Sequence, residues 1–236
     1  SLIKKSLKEC KNTIVSIFVN PTQFNNKNDY KKYPKNNKKD LSILKKLNVD
    51  FVFIPSKKDI YDTLRKSKIL INKKDRILCA KYRKGHFEGV IDVMDRLTRK
   101  IRPKKIFMGE KDLQQLYLVK NYIEKKYISQ IIKCKTIRDT GKLAWSSRNR
   151  HLNKKEILTA RKLAQSIISY KKKLNNKKVL ISSINIKKLE LMNKHKVNIE
   201  YFELRNIFNL KLSNSIKNSK IFIAYYINKV RLIDNF

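Results

Sequence analysis

Three segments of the 236-residue sequence combine residue types that bind phosphate groups and small polar ligands. They are FVNPTQF (18–24), MGEKDLQQL (108–116) and TIRDTGKLAWSSRN (136–149). In the second segment, Gly109 lets a ligand approach the main chain, and the amides that open the following helix attract anions. Lys111 adds a flexible point charge that can reach a phosphate. Taken alone, this pattern is also typical of an ordinary helix start, because acidic residues there interact favourably with the helix dipole.

The third segment offers a second set of groups suited to phosphate. Ser146 and Ser147 supply hydroxyl groups, and Arg148 supplies a planar cation whose five donors match phosphate oxygens. The same residues are also typical of a loop in which a serine caps the N-terminus of the next helix. Gln23 and Gln115 are neutral amides that can bind hydroxyl and carboxylate groups, although glutamines are also frequent in polar loops.

Several fingerprints of other site classes are absent from the sequence. It contains no GxGxxG and no GxxxxGK[ST], so neither a dinucleotide fingerprint nor a P-loop is predicted. The histidines lack the spacing of a zinc site, and the cysteines form no CxxC pair: His86, His151, His195, Cys10, Cys79 and Cys134. We therefore expect no protein metal site, and reduced thiols in a cytoplasmic protein.

The sequence is strongly basic, with 58 Lys and Arg against 19 Asp and Glu and a formal charge of +39. Clustered Lys and Arg neutralise phosphates, so this balance could indicate a nucleic-acid partner. The lysines are instead spread through every segment with abundant Asn and Ile, as codon bias toward A and T would also produce. No RNP signature or zinc-finger spacing accompanies them, so we predict no specific nucleic-acid partner. No apolar run approaches the roughly 18 residues of a membrane span.

The elements that position these segments follow from the hydrophobic pattern of the first half. Short, nearly continuous apolar runs predict strands buried on both faces, at 13–19, 51–54, 104–108 and 130–137. Apolar residues at helical spacing predict helices at 1–10, 40–47, 87–101 and 113–123. Residues 56–85 are Lys-rich and irregular, which indicates a surface excursion. This alternation predicts an α/β fold with a parallel sheet wrapped by helices.

The second half has a different pattern. It predicts helices at 153–173 and 183–195. Strands of mixed or alternating pattern follow at 197–204, 220–227 and 230–234. This order indicates a smaller α+β domain with antiparallel strands. We therefore predict one domain at 1–136 and a second at 137–236.

The motifs of the chain occur in one order from its first residues to its last. They are SIFVNPTQF, YPK, GHFEGV, MGEKDLQQL, AWSSRN and RLIDN. In this order and at these spacings they resemble the pantothenate synthetases, which are pantoate–β-alanine ligases. The resemblance implies a Rossmann-like parallel sheet of the nucleotidyltransferase type, a smaller α+β C-terminal lid domain, and a homodimer.

The resemblance also implies a two-step reaction that uses ATP with Mg²⁺. The carboxylate of pantoate attacks the α-phosphorus of ATP, which gives pantoyl-adenylate and pyrophosphate. The amine of β-alanine then displaces AMP, and pantothenate forms. The partners implied are therefore small molecules: pantoate, β-alanine and ATP.

Residue roles carry over from the family where the motifs match. Gln23 and Gln115 would hold pantoate, and Gln23 would also lie near β-alanine. Lys111 and Arg148 would be catalytic through their contacts with phosphate. The residues implied to bind ATP are Gly109, Glu110, Lys111, Asp112, Ile137, Trp145, Ser146, Ser147 and Arg148. Because Lys111 and Arg148 would come from different domains, closure of the lid would complete the site and exclude water.

The sequence departs from the family pattern in several places. The family's MxxLHxGH motif, whose histidines contact ATP phosphates, is absent, so we expect residues 1–236 alone to be nearly inactive. We expect that the natural protein has further N-terminal residues; the alternative is that the gene has decayed. Smaller departures are Lys35 where YPR is usual, GKLAW where DGLAM is usual, and Cys79-Ala80 where an acidic residue and glycine are common.

Two alternatives remain open at the level of sequence. One is a basic nucleic-acid-binding protein on a degenerate ligase scaffold. The other is a related adenylyl-transferring enzyme with a different acid substrate. The glutamine pair favours pantoate over other acids, through the resemblance alone.

Overall fold

The computed structural model describes residues 2–24, 30, 36–61, 69–174 and 178–236. The chain divides into two compact units: Ser1–Glu110 with Gln115–Cys134, and Lys111–Gln114 with Lys135–Phe236. The domain bounds 1–136 and 137–236 stay a prediction. The assignment of a nucleotide domain and a lid domain stays a prediction. Lys35 of the YPK motif lies outside the described residues.

The first unit alternates helices and short strands. Its described helices are α1 (Leu2–Glu9), α2 (Asn37–Lys46), α3 (Lys57–Ile60), α4 (Cys79–Tyr82), α5 (His86–Ile101) and α6 (Leu113–Lys126). Its described strands are β1 (Ile14–Ser16), β2 (Phe51–Phe53), β3 (Lys105–Gly109) and β4 (Gln130–Cys134). Every helix and strand that the hydrophobic pattern predicted in this half is present, with shifted bounds.

The strands of the first unit pair in parallel. Ile14 lies opposite Phe51 in the β1–β2 pair, and Lys105 lies opposite Gln130 in the β3–β4 pair. Among the described residues the two pairs form separate two-stranded sheets. Parallel strands joined through helices confirm the α/β class.

The prediction that the first two strands are buried on both faces is wrong. Ile14 is 40% exposed and Phe51 is 57% exposed, and Val52 and Ile54 are also exposed. An apolar run predicts that a strand forms, but it does not predict which neighbours cover that strand. Within the described residues, β1 and β2 have only each other as strand partners.

The prediction of a surface excursion at 56–85 is also wrong for the residues that are described there. Ser56 and Asp59 form a capping box that starts α3. Apolar side chains of this stretch are then buried: Ile60, Ile71, Leu78, Cys79 and Ala80. The high lysine content concealed these scattered apolar positions. Residues 62–68 lie outside the described structure.

Helix α5 presents one apolar stripe to the first unit, as its spacing predicted. Val90 and Val93 are buried on this stripe. The helix ends at Ile101 because Arg102 adopts the left-handed conformation, with φ of 50°, and Pro103 follows. A residue in that conformation is a common helix terminator.

The second unit packs two helices against an antiparallel sheet. Its described elements are α7 (Lys154–Leu174), α8 (Ile181–His195), β5 (Asn198–Asn206), β6 (Ser219–Ile227) and β7 (Val230–Asn235). The sheet order is β5–β6–β7, with both neighbouring pairs antiparallel. Its core joins both helices to the sheet through buried residues such as Leu163, Ile167, Leu191, Phe202, Ile221 and Ile223. The predicted α+β character of this half is confirmed.

Candidate active site

The Asn20 side chain organises the FVNPTQF segment, which follows β1 as a short 3₁₀ helix at Pro21–Gln23. Asn20 is only 1% exposed. Its Oδ1 accepts hydrogen bonds from the Thr22 amide at 3.2 Å, the Thr22 hydroxyl at 3.0 Å and the Tyr61 hydroxyl at 2.6 Å. Its Nδ2 donates to the Gly89 carbonyl at 3.0 Å. One N-cap side chain thereby connects the 3₁₀ helix to α5.

Helix α5 also contacts the main chain of Gln23, the residue predicted to hold pantoate. His86 Nδ1 lies 2.7 Å from the Gln23 carbonyl oxygen, and Arg83 Nη2 donates to the same oxygen at 3.4 Å. At Gly89 the two backbones are in direct contact, since an added Cβ would lie 2.6 Å from the Thr22 carbonyl oxygen. The position of Gln23 is therefore set by the GHFEGV motif.

Strand β3 delivers Gly109 to the turn that precedes α6. A Cβ added to Gly109 would meet no described atom within 4 Å, so the space beside this stretch of main chain is open. Glu110 follows and is buried, with its carboxylate 3.3 Å from the Lys133 Nζ on β4. The turn therefore combines an open main-chain edge with a carboxylate whose charge is balanced by a lysine.

Lys111 is held by the end of the second unit's sheet. The Asn235 Nδ2 donates to the Lys111 carbonyl at 2.9 Å, and the Lys220 Nζ donates to Asn235 Oδ1 at 2.9 Å. The Lys111 ammonium lies 3.8 Å from the Asp112 carboxylate. The RLIDN motif thus fixes the backbone from which the Lys111 side chain extends.

The same motif fixes the start of the TIRDTGKLAWSSRN segment. Arg138 donates to both carboxylate oxygens of Asp234, at 2.7 and 2.9 Å, and its Nη2 also donates to the Asn235 carbonyl at 2.9 Å. Burial raises the pKa of the Asp234 carboxyl, and the Arg138 guanidinium opposes that change. A buried bidentate pair of this kind orients both partners.

The segment after Arg138 folds back on itself. The Trp145 amide donates to the Ile137 carbonyl at 3.0 Å, and Arg138 and Ala144 form an antiparallel bridge. This turn places Ile137 and Trp145 opposite each other, and Trp145 is 66% exposed. An exposed indole beside an aliphatic side chain is a surface on which a purine ring can pack.

The SSRN residues form the next turn. Ser146 caps a 3₁₀ helix at Ser147–His151, and its Oγ accepts a hydrogen bond from the Arg148 amide at 3.3 Å. The Asn149 side chain donates to the Ala144 carbonyl at 3.0 Å and connects this turn to the previous one. Ser146 is therefore an N-cap residue, as the simpler interpretation of the sequence predicted, and it orients the half-buried Arg148.

The predicted site residues divide between the two units. The first unit contains Gln23, Gly109, Glu110 and Gln115, and the second contains Lys111, Asp112, Ile137, Trp145, Ser146, Ser147 and Arg148. This grouping differs from the expectation that Lys111 and Arg148 come from different domains. The physical reason is the Asn235 contact, which attaches the Lys111 backbone to β7.

Within the described residues, none of the helices has the length and apolar character needed to cross a membrane. In the same part of the chain, no group of three or more His, Cys, Asp or Glu side chains is arranged to hold a metal ion.

The order and geometry of these segments agree with a comparison of the chain with known protein families. The family model of pantoate-beta-alanine ligase matches residues 1–236. The chain belongs to the pantoate–β-alanine ligase family. Pantothenate synthetase from Clostridium botulinum is 38% identical over 246 residues, covering 100% of this chain and 85% of the relative. The enzyme from Francisella tularensis subsp. mediasiatica is 40% identical, with coverage of 100% and 83%.

Solved structures of the ligase family show the same fold. The pantoate-beta-alanine ligase from Francisella tularensis, complexed with beta-gamma ATP and beta-alanine, superposes with a TM-score of 0.82 at 38% identity. That match covers 100% of this chain and 82% of the other. The enzyme from Thermus thermophilus has a TM-score of 0.85 at 24% identity, with coverage of 100% and 86%, and supports the fold alone.

Sequence reasoning found the ligase-family motifs but missed several residues that position the site. Asn20, His86 and Asn235 act through contacts with residues 69, 63 and 124 positions away in the sequence. Asn20 and Asn235 carry no ionisable group, and a histidine such as His86 occurs at structural as well as catalytic positions. The available signal was their location within GHFEGV, FVNPTQF and RLIDN, and it did not specify which partners they would contact.

Proposed function

We propose that the chain catalyses the ATP-dependent condensation of pantoate with β-alanine to pantothenate, with release of AMP and pyrophosphate. The observation that carries this proposal is the match of the ligase family model to all 236 residues. A ligase of known structure that is complexed with beta-gamma ATP and beta-alanine adds support, since it is 38% identical over the whole chain.

The reaction proceeds through pantoyl-adenylate in this proposal. Attack of the pantoate carboxylate on the α-phosphorus brings two anions together, so fixed positive charge and alignment lower the barrier. Lys111 and Arg148 supply that charge, and both are oriented by the rest of the second unit. The amine of β-alanine then attacks the acyl carbon, and AMP leaves.

The residues that we propose contact the nucleotide are Gly109, whose main-chain edge is open, and Ile137 and Trp145, whose side chains are exposed. Glu110 and Asp112 border the nucleotide, and Ser146 and Ser147 contribute hydroxyl groups to the phosphates. The contacts that fix these turns support this arrangement, because a preorganised site loses little entropy when the ligand binds.

Gln23 and Gln115 hold pantoate, and Gln23 also contacts β-alanine. Asn20 and α5 support this role for Gln23, because they fix the main chain of its 3₁₀ helix. Gln115 lies in the first turn of α6, where it is half-buried. Helix α6 restricts the Gln115 amide, and the hydrogen-bonded turn restricts the Gln23 amide. These are the groups that would bind the hydroxyl and carboxylate of pantoate.

Mg²⁺ would enter with ATP, and the phosphate oxygens of ATP would hold it, as is usual for this ion. The carboxylates nearest the Gly109 turn are both paired with a lysine, Glu110 with Lys133 and Asp112 with Lys111. These contacts fit a magnesium ion that the substrate delivers. The ion would neutralise phosphate charge during adenylation.

The proposal also includes a cytoplasmic location and a homodimer, both from the family resemblance.

Isotope exchange tests the proposed intermediate. We expect the gene's full product, with any residues encoded beyond 1–236, to exchange pyrophosphate into ATP only when pantoate is added. AMP release should require both pantoate and β-alanine. Exchange supported equally by other hydroxy acids would favour a related adenylyl-transferring enzyme, and exchange without any acid would contradict the proposal.

A further inference from the structure

The His86 imidazole lies between a carbonyl oxygen and a guanidinium group. Its Nδ1 is 2.7 Å from the carbonyl oxygen of Gln23, and its Nε2 is 2.9 Å from Nη1 of Arg83. Arg83 Nη2 reaches the same Gln23 oxygen at 3.4 Å. The three groups contact one another, and His86 is only 8% exposed.

These neighbours determine where the imidazole holds its proton. A carbonyl oxygen can only accept a hydrogen bond, so the Nδ1 of His86 must donate. A guanidinium can only donate, so the Nε2 must accept. Both conditions hold in one form of the ring alone, the neutral imidazole with the proton on Nδ1. An imidazolium would place an N–H donor against the donors of Arg83.

The cluster acts on the main chain that carries the Gln23 side chain. Gln23 is the last residue of the 3₁₀ helix Pro21–Gln23, and its carbonyl is held by His86. The other end of that helix is held by Asn20, which bonds to the Gly89 carbonyl. Both attachments come from α5, so the short helix cannot rotate without breaking one of them.

We propose that His86, as the neutral Nδ1–H tautomer imposed by Arg83, is a positioning residue for Gln23. It acts through the Gln23 main chain, which it holds in place for pantoate and β-alanine. This role rests on the proposed function, because it requires that Gln23 binds those substrates. It assigns a purpose to the histidine of the GHFEGV motif.

The tautomer is tested first, by long-range ¹H–¹⁵N correlation spectra of the histidine rings at neutral pH. We expect the His86 ring to show a protonated Nδ1 and a bare Nε2, with assignment from the spectrum of His86→Asn. A ring protonated on Nε2, or on both nitrogens, would overturn the proposal irrespective of any activity.

Substitution then tests the positioning role in the full gene product. His86→Phe keeps a ring of similar size without a donor, and we expect its KM for pantoate and β-alanine to rise roughly ten- to hundredfold while that for ATP stays constant. His86→Asn places an amide N–H near the position of Nδ1, so its KM values for pantoate and β-alanine should return most of the way to those of the unsubstituted protein. Glu88→Gln is the matched control, since Glu88 lies in the same turn of α5 and pairs with Arg76 at 3.6 Å instead.

The outcomes separate this proposal from the proposed function. If the unsubstituted product shows no pantoate-dependent exchange, the proposed function fails and the substrate role of His86 fails with it. If that product is active and a folded His86→Phe variant keeps its pantoate KM, the positioning role alone is wrong. Equal losses in His86→Phe and His86→Asn, or a parallel rise in the KM for ATP, would indicate general structural damage and also contradict it.

Discussion

At the scale of single residues, two glycines have opposite surroundings and therefore different reasons to be glycine. At Gly89 an added Cβ would lie 2.6 Å from the Thr22 carbonyl oxygen and 2.8 Å from its carbonyl carbon. At Gly109 an added Cβ would meet no described atom within 4 Å. The first glycine is needed for packing, whereas the second leaves space that we assign to a nucleotide.

Alanine at these two positions should give contrasting results. Gly89→Ala should lower the free energy of unfolding by about 1–3 kcal/mol, because two backbones must move apart. Gly109→Ala should change it by less than about 0.5 kcal/mol, since the site is open, yet weaken ATP binding. Urea denaturation and calorimetric titration measure both quantities. Unchanged ATP binding in Gly109→Ala would show that no ligand approaches this main chain.

The sequence predicts roles for some residues and not for others. Lys111 and Arg148 are predicted to bind phosphate, because their chemistry and their motifs match the ligase family, and these roles stay predictions. Asn235 could not be identified in this way, because its function is a contact with the Lys111 carbonyl 124 positions earlier. Such a contact depends on the tertiary fold, and a single sequence does not reveal it.

At the scale of elements, hydrophobic periodicity predicted the helices and strands but not which of their faces other residues bury. Helix α5 has a full apolar stripe, and its predicted bounds differ from the observed ones by one residue. Strands β1 and β2 consist of three residues each and are half exposed, although their sequences are apolar. A run of three to seven apolar residues cannot distinguish a central strand from one with an open edge or face.

The C-terminal end of α8 gives a prediction about pH. Burial and the nearby charges of Lys194, Lys162 and Lys187 lower the pKa of His195 from its ordinary value of 6.5, and its Nε2 contacts the Ser166 hydroxyl at 3.0 Å. As the pH falls through 6.5, the unfolded chain takes up a proton before the folded chain does. The folded state therefore loses stability in this range.

Denaturation at several pH values tests this prediction. The free energy of unfolding should fall between pH 7 and pH 5, and His195→Gln should reduce the slope while it keeps a polar contact to Ser166. A slope that is identical in the His195→Gln variant and the unsubstituted protein would contradict the assignment to His195.

At the scale of the whole molecule, the formal charge of +39 predicts weak affinity for any polyanion. Binding to duplex DNA in a gel-shift assay should be independent of sequence and should decline steeply with salt, because it depends on counterion release. Addition of ATP or pantoate should leave this binding to DNA unchanged. Tight, sequence-selective binding at physiological salt would instead support a nucleic-acid-binding function on a ligase scaffold.

We propose that this ligase-family chain uses Lys111 to stabilise charge during adenylation. Removal of one such electrostatic donor typically costs about 10²–10³ in rate. Lys120 on α6 is a suitable control, since it is exposed and lies 3.8 Å from Glu124 in a helical ion pair. Lys120→Ala should leave all rates unchanged.

The most direct measurement is pantoate-dependent pyrophosphate exchange by the full gene product and its Lys111→Ala variant. We expect the variant to lose about 100-fold or more in exchange rate, while the Kd for pantoate changes little. An exchange rate in Lys111→Ala equal to that of the unsubstituted protein would contradict this role of Lys111.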